Sequence, residues 1–409
     1  MRTPATLLYL FVLLSLTTAT QTRVQAQSSE QVLYAFTNQL DGGYPTAVIG
    51  DSAGNLYGAT AEGGTNGTGT VFELSPSVGG SWSETILFNF GPTGTRDGNQ
   101  PVGALRFDTL SNLYGTTQYG GGGECQFGCG TIFELSPSAG AWTEKVLYRF
   151  SQGDGVNPCS QLAFDRAGNL YGTTRLGGIY DAGTVFELSP APGRWEQILL
   201  HSFAGGSDGE DPVHSGLAID SAGNLYGTTF YGGPNSAGTV FELSRASGKW
   251  KKSVLHTFDR SGIGGYPEAG VSFDSSGNLY GTTTQGSSTT DGGVFKLRPS
   301  ADGKWTYSVL HAFGDGADGN FPSTGVVFDR AGNLYGTTNF GGSSGDGAVY
   351  ELSPSAKGPW NEEILWDFIG GADGINPNTT PLFLDGAGNI YGSTNSGGDG
   401  VGVIFEVTP

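Results

Sequence analysis

The sequence predicts an all-β fold: a seven-bladed β-propeller of four-stranded antiparallel blades, closed by pairing of its N- and C-terminal strands. Three observations carry this. The motif Gly-Asn-Leu-Tyr-Gly-Thr-Thr recurs almost unchanged seven times, with its tyrosines at Tyr57, Tyr114, Tyr171, Tyr226, Tyr280, Tyr335 and Tyr391. The spacings are 57, 57, 55, 54, 55 and 56 residues, a period that marks repeat architectures. The 409 residues include 72 Gly, 24 Phe and 17 Tyr, a composition of short strands and tight turns. Beyond the first residues no segment sustains helical periodicity.

The N-terminus reads as a secretory signal peptide, residues 1–26. Arg2 supplies a positive start, Leu7 to Leu16 is an apolar run, and Val24-Gln25-Ala26 is a small-x-small cleavage site, so the mature chain is expected to start at Gln27. The apolar run is too short to span a bilayer comfortably. The propeller then occupies 27–409 as a single domain. Removing residues 1–26 takes away Arg2 and Arg23 and no acidic residue, leaving 17 basic against 38 acidic residues. That surface repels phosphate backbones and argues against nucleic-acid binding. It suits a soluble, secreted or surface-exposed monomer with no transmembrane segment.

Each repeat reads as four strands, illustrated by Gly216 to Asp220, Asn224 to Thr229, Gly238 to Ser244, and a run from Trp250 to Phe258. All are β-branched or aromatic and bounded by turn residues. Between the first two strands, Asp220 caps backbone N–H groups and Gly223 supplies a positive φ. Equivalent pairs are Asp51/Gly54, Asp165/Gly168, Asp274/Gly277, Asp329/Gly332 and Asp385/Gly388, while Asp108 lacks the glycine. Such repetition makes these aspartates structural rather than catalytic. Trp82, Trp142, Trp195, Trp250, Trp305 and Trp360 open fourth strands, and Phe36, Phe90, Phe150, Phe203, Phe258, Phe313 and Phe368 close them. These rings are expected to form the core between blades, and the glycine after each motif tyrosine to let the next sheet approach. Glu30 to Phe36 aligns with a fourth strand and Gly402 to Val407 with a third. Val32–Phe36 should therefore pair with Val403–Val407 and leave no open edge.

Gly-Gly after the second strand, a third strand and then Trp resembles kelch repeats. The segments Gly168-Asn-Leu-Tyr-Gly-Thr-Thr174 and Gly183-Thr-Val-Phe-Glu-Leu-Ser189 more closely resemble the GloVer-containing choice-of-anchor tandem-repeat family of bacteria. The resemblance covers residues 30–409. It implies a secreted or cell-surface bacterial protein and brings no assigned chemistry.

The chemistry-bearing residues give no catalytic set. His201, His256 and His311 share one repeat position on separate outer strands, and His214 stands in a loop; none forms a metal site by spacing. There is no nucleophile elbow, haem motif or phosphate loop. Ile49, Arg106, Ala163, Ala218, Ser272, Val327 and Phe383 are expected to line the central channel, with Arg106 its one charge. The loop face is left. The fourth-to-first loops repeat Asp-Gly-x-x-Pro with Asp97, Asp154, Asp208, Asp318 and Asp373, Asp41 being a near match, and Gly264-Gly265-Tyr266-Pro267 has lost the acid. The second-to-third loops on the same face hold Tyr119, Phe127, Tyr180, Phe230, Tyr231 and Phe340. Turn chemistry accounts for the aspartates and binding for the rest.

These observations support a non-enzymatic binding scaffold that takes an extracellular glycan or surface protein. Tyr119, Tyr180, Phe230 and Tyr231 would stack on sugar rings, with Asp97, Asp154, Asp208, Asp318 and Asp373 accepting hydroxyls. Bridging of Asp97, Asp154 or Asp208 by Ca²⁺ is a secondary expectation, and no other cofactor is foreseen. The alternatives are a glycan hydrolase or lyase using loop carboxylates and a purely structural surface protein. Export favours one disulfide. Cys159 joined to Cys129 or Cys125 is the leading pairing, and Cys125–Cys129 the alternative.

Overall fold

A computed structural model describes residues 28–409, apart from 139, 215, 247, 287–290, 315, 356–357 and 378–380. The signal-peptide segment 1–26 and the start at Gln27 lie outside the described residues. Seven sheets of consecutive antiparallel strands form the blades of the propeller. Blade 3 is representative: Ala163–Phe164, Leu170–Thr174, Thr184–Ala191 and Arg194–Ser202 pair in sequence order. Blade 7 takes its inner strands from the C-terminus and its outermost, Ser29–Ala35, from the N-terminus. That strand lies antiparallel to Val403–Thr408, with Glu30 opposite Val407 and Val32 opposite Phe405, and Phe36 N–H reaches Gly402 O at 3.1 Å. The closure expected from the sequence is present.

The innermost strands are shorter than expected. Gly216 to Asp220 pairs as a strand only over Ala218–Ile219. Upstream of four of the two-residue strands, in blades 3 to 6, the chain turns carbonyls to the preceding blade, where the first Thr of Gly-Thr-Thr donates to them. Thr116 Oγ1 bonds Ser160 O at 3.3 Å, Thr228 Oγ1 bonds Ala269 O at 2.8 Å and Thr282 Oγ1 bonds Thr324 O at 2.8 Å. Backbone groups used across a seam are not free to lengthen their own strand.

The turn aspartates cap as expected. Asp220 Oδ1 accepts the N–H groups of Ala222 and Asn224 at 2.8 and 2.9 Å, and its Oδ2 accepts the Asn224 amide and the Tyr226 hydroxyl. The closing phenylalanines are all 2 % exposed or less. Each packs on the third-strand ring of the next blade, as in Phe90 on Phe133 at 5.2 Å and Phe203 on Phe241 at 5.3 Å. Burial of one such ring contributes about 1.5–3 kcal/mol. The glycine after the motif tyrosine has a different use from the one expected. Gly58 lies directly opposite Phe72 of its own blade, and a Cβ there would fall 2.5 Å from the ring. It accommodates its own sheet's aromatic and not the neighbouring sheet.

One joint recurs at every seam. The residue before each loop proline is Tyr44, Gln100, Asn157, Asp211, Tyr266, Phe321 or Asn376, and each has φ between 53° and 62°. Its N–H donates at 2.7–3.0 Å to Val401, Thr68, Cys129, Ala182, Ala237, Asp291 or Asp346 of the preceding blade. The proline then rests on the glycine following that acceptor: a Cβ on Gly69, Gly130, Gly183, Gly238, Gly292, Gly347 or Gly402 would lie 2.4–2.9 Å from proline Cδ. A left-handed non-glycine residue costs about 1–3 kcal/mol, and the hydrogen bond with the proline contact offsets it.

Two outcomes follow. Gly238→Ala sets a Cβ 2.5 Å from Thr229 O and 2.6 Å from Pro267 Cδ, and should destabilise by more than about 1 kcal/mol in urea denaturation. Gly248→Ala, at φ +79 in open space, should cost less. Deleting residues 28–36 should lower the melting temperature and promote association through the uncovered Val403–Thr408 edge.

Candidate binding face

The fourth-to-first and second-to-third loops share one face, and the seam joints arrange its side chains. The pre-proline residues sit in one backbone conformation yet differ in chemistry from blade to blade. Each meets the preceding blade just after its Gly-Thr-Thr. Arg175 Nε lies 3.1 Å from Asp211 Oδ1, Phe230 packs on Tyr266 at 5.4 Å, and Asn376 Nδ2 donates to Asn339 O at 2.8 Å. Identical joints thus present an ion pair, an aromatic pair and an amide contact. The signal in the sequence was the residue before each loop proline, which the aspartates of the same motif overshadowed.

Blades 3 to 5 gather the richest set. Phe230, Tyr231 and Tyr266 pack mutually with centroids 4.7–5.9 Å apart, and the Arg260 guanidinium lies 5.2 Å from the Tyr266 ring centre. Tyr231 is 39 % exposed and Tyr180, on blade 3, 62 %. Tyr119 is half-buried and packs edge-on against exposed Phe127 at 5.8 Å. Leu40, Leu176, Ile179, Phe340 and Ile369 add exposed apolar surface on these loops. Inward from them runs the channel, a cavity of about 370 Å³ lined by six of the seven expected positions, Ile49, Arg106, Ala218, Ser272, Val327 and Phe383. Enclosure there lowers the Arg106 pKa.

Cys159 and His214 also reach the channel wall, each close behind a seam proline. His214, which has no partner by spacing, lies 3.8 Å from Glu268. Burial raises the Asp211 carboxyl, opposed by Arg175. Burial also pushes the Cys159 thiol up to about 11.

The expected Cys159 disulfide is corrected. The bond joins Cys125 to Cys129, with Cα atoms 5.2 Å apart, and Cys159 is free and buried. A turn in which Gly128 N–H bonds Cys125 O at 3.0 Å brings the loop cysteines together. Pro158, seated on Gly130, holds Cys159 inward on the channel wall.

The aspartates of Asp-Gly-x-x-Pro are half-buried and turned toward the seams. Asp154 Oδ1 accepts Ser151 N–H at 2.7 Å, Asp208 Oδ2 accepts Ala204 N–H at 2.9 Å, and Asp373 Oδ2 accepts Ile369 N–H at 3.0 Å. Asp318 accepts Gly314 N–H at 3.4 Å, and Asp97 faces Glu144. Beside each lies the residue two before the closing Phe, and opposite it the residue two after the next blade's Trp. These third residues are Glu84, Glu144, Gln197, Lys252, Tyr307 and Glu362, with Glu30 completing the ring. Tyr148 donates to Asp154, and His201 Nε2 and Lys252 Nζ lie 2.9 and 3.0 Å from Asp208. Burial alone would raise the Asp208 pKa, but His201 and Lys252 hold it well below the usual range. Burial keeps His256 neutral, with its pKa lowered to about 4, and the ring stacks on Tyr307 at 4.0 Å.

Residues 15–214 match the family described as the Gloeobacter/Verrucomicrobia repeat. No curated protein matches the chain. Among solved structures, a provisional 6-phosphogluconolactonase of Bacteroides uniformis is similar over 86 % of this chain and 88 % of its own, at 14 % identity and a TM-score of 0.50. A gluconolactonase of Xanthomonas campestris is similar over 93 % and 89 %, at 11 % identity and 0.43. A Dyadobacter fermentans protein of unknown function is similar over 81 % and 96 %, at 12 % identity and 0.43. At these identities the likeness is one of fold.

The seam carboxyls set a pH dependence. Burial first, then Asp373, Asp41 or Asp97, raises Glu30, Glu84 and Glu144 from 4.5 to about 7, with Tyr34 and Arg149 opposing at Glu84 and Glu144. The folded chain therefore binds more protons than the unfolded one between these values. This contribution is fully present below pH 4.5 and is lost as pH rises through about 7. The hydrogen-bonded caps Asp51, Asp165 and Asp274 are lowered, so their contribution is lost in acid. Urea denaturation should give greater stability at pH 5 to 6 than at pH 8, and E30Q/E84Q/E144Q should flatten that slope.

Proposed function

We propose that this propeller of Gloeobacter/Verrucomicrobia repeats is an exported, non-enzymatic scaffold that binds a glycan on its loop face. The observation that carries the reading is the aromatic cluster of Phe230, Tyr231 and Tyr266, set beside the Arg175–Asp211 ion pair, with Phe230 N–H bonded to Asp211 O at 2.9 Å. Sugar rings present apolar C–H faces with a rim of hydroxyls. Exposed aromatic surface takes the first, and a guanidinium or carboxylate takes the second. A rigid ring with chemically different loops discriminates among ligands without altering its core. Tyr119 and Tyr180 extend the same face into blades 2 and 3. The loop aspartates, Asp97, Asp154, Asp208, Asp318 and Asp373, serve this reading by holding the loops, and only secondarily as ligand contacts. Export is supported by the apolar run before Gln27 and by the Cys125–Cys129 bond, which forms in oxidising compartments.

The test is a glycan-array screen followed by titration of the best binder. Tyr231→Ala and Tyr266→Ala should each weaken binding by about 1–2 kcal/mol, roughly five- to thirtyfold, with unchanged melting of the fold. Binding untouched by both changes, but lost on altering the Asp-x-x-Gly turns of the opposite face, overturns the assignment.

A further inference from the structure

The seam between blades 5 and 6 assembles a donor set of its own. His311, Asp318 and Glu362 each bring one ligand atom within 4.8 Å of the others. His311 Nε2 lies 3.3 Å from Asp318 Oδ2 and 3.6 Å from Glu362 Oε1. The three side chains are 12–18 % exposed, so solvent reaches them while the surroundings restrict their motion. They come from three separately anchored segments: the strand Trp305–Ala312, the loop after it, and the strand Asn361–Asp367 of the next blade.

We propose that this cluster is a divalent-cation site for a borderline metal such as Zn²⁺ or Ni²⁺, clamping blade 5 to blade 6. One imidazole and two carboxylates are the donors such ions take, with water in the open position. A second observation comes from within the chain. At the seam between blades 3 and 4 the same three repeat positions hold His201, Asp208 and Lys252. There the imidazole lies 2.9 Å and the Lys252 ammonium 3.0 Å from the Asp208 carboxylate. The fold therefore sets a cation against this aspartate where the sequence supplies one covalently. Between blades 5 and 6 the lysine is replaced by an oxygen donor, and the cation comes from solution. Among the described residues no other seam combines imidazole with two carboxylates at these three repeat positions, and no other such group has its ligand atoms within 4.8 Å of one another. Tyr34, Phe88 and Trp366 hold the histidine's place at the three other acid-pair seams, and Gln197 and Tyr307 replace the second carboxylate elsewhere.

The full chain, stripped with a chelator, should bind one equivalent of Zn²⁺ or Ni²⁺ in isothermal titration, and its melting temperature should rise with metal. His311→Ala and Glu362→Gln should weaken binding at least tenfold. Glu362→Lys rebuilds the His201–Asp208–Lys252 arrangement. It should fold, melt at or above the metal-free parent, and lose the response to metal. Absence of binding by the parent chain overturns the proposal. So does a response confined to Ca²⁺, which does not favour imidazole, or an undiminished response in Glu362→Lys and His311→Ala.

Discussion

The propeller depends on one contact made seven times. A residue held at positive φ before a proline turns its N–H back to the preceding blade, and the proline covers a glycine there. Neither half is stable alone. The left-handed conformation is unfavourable for Tyr44, Tyr266 or Phe321, and the glycine exposes backbone that no side chain covers. Together they bury a hydrogen bond across the seam and fix the angle between blades. The phenylalanine contacts add energy below this joint but have no directional requirement of comparable strictness.

The joint also separates constancy from variation. Its demands fall on the backbone and on the proline and glycine, so the pre-proline side chain is left free to differ. The opposite face has no such freedom, because each Asp-x-x-Gly-Asn turn consumes its polar side chains in its own capping bonds. One face is therefore a repeated fastening and the other a set of seven dissimilar sectors. The strongest sector, in blades 3 to 5, is where repetition fails most: Arg175, Asp211, His214, Glu268 and Cys159 have no counterparts of the same type in the other blades.

Local rules made much of this legible. The tyrosine period, the turn aspartates, the buried phenylalanines, the channel wall and the terminal strand pairing all follow from pattern and turn chemistry within one repeat. What escaped lies between repeats. The positive φ at Tyr266 or Phe321 contradicts local preference and is imposed by a carbonyl about 29 or 30 residues away, at Ala237 or Asp291. The partner of His311 on the next blade is visible only once Trp360 and Glu362 are known to face that seam. The leading Cys159 pairing failed in the same way, and the local alternative, Cys125–Cys129, is the bond that forms. Topology placed all three on one face, but it did not reveal that Pro158 draws Cys159 inward while Gly128 turns Cys125 back on Cys129.

Pairing of Ser29–Ala35 with Val403–Thr408 has a consequence for the order of events in the life of the chain. The first strand to be synthesised finds its partner only when the final strand has been made. Every other blade can assemble from residues already present, each on its predecessor, while this strand waits with its hydrogen-bonding groups unmatched. A chain that crosses a membrane as an extended thread and folds on the far side would meet this requirement naturally, since both ends then become available together. Loop closure over so long a separation adds little extra entropy beyond that of shorter loops, because the cost grows only logarithmically. The rate of joining the ends, more than the strength of the join, would then decide how long the unfinished ring stays open to other strands.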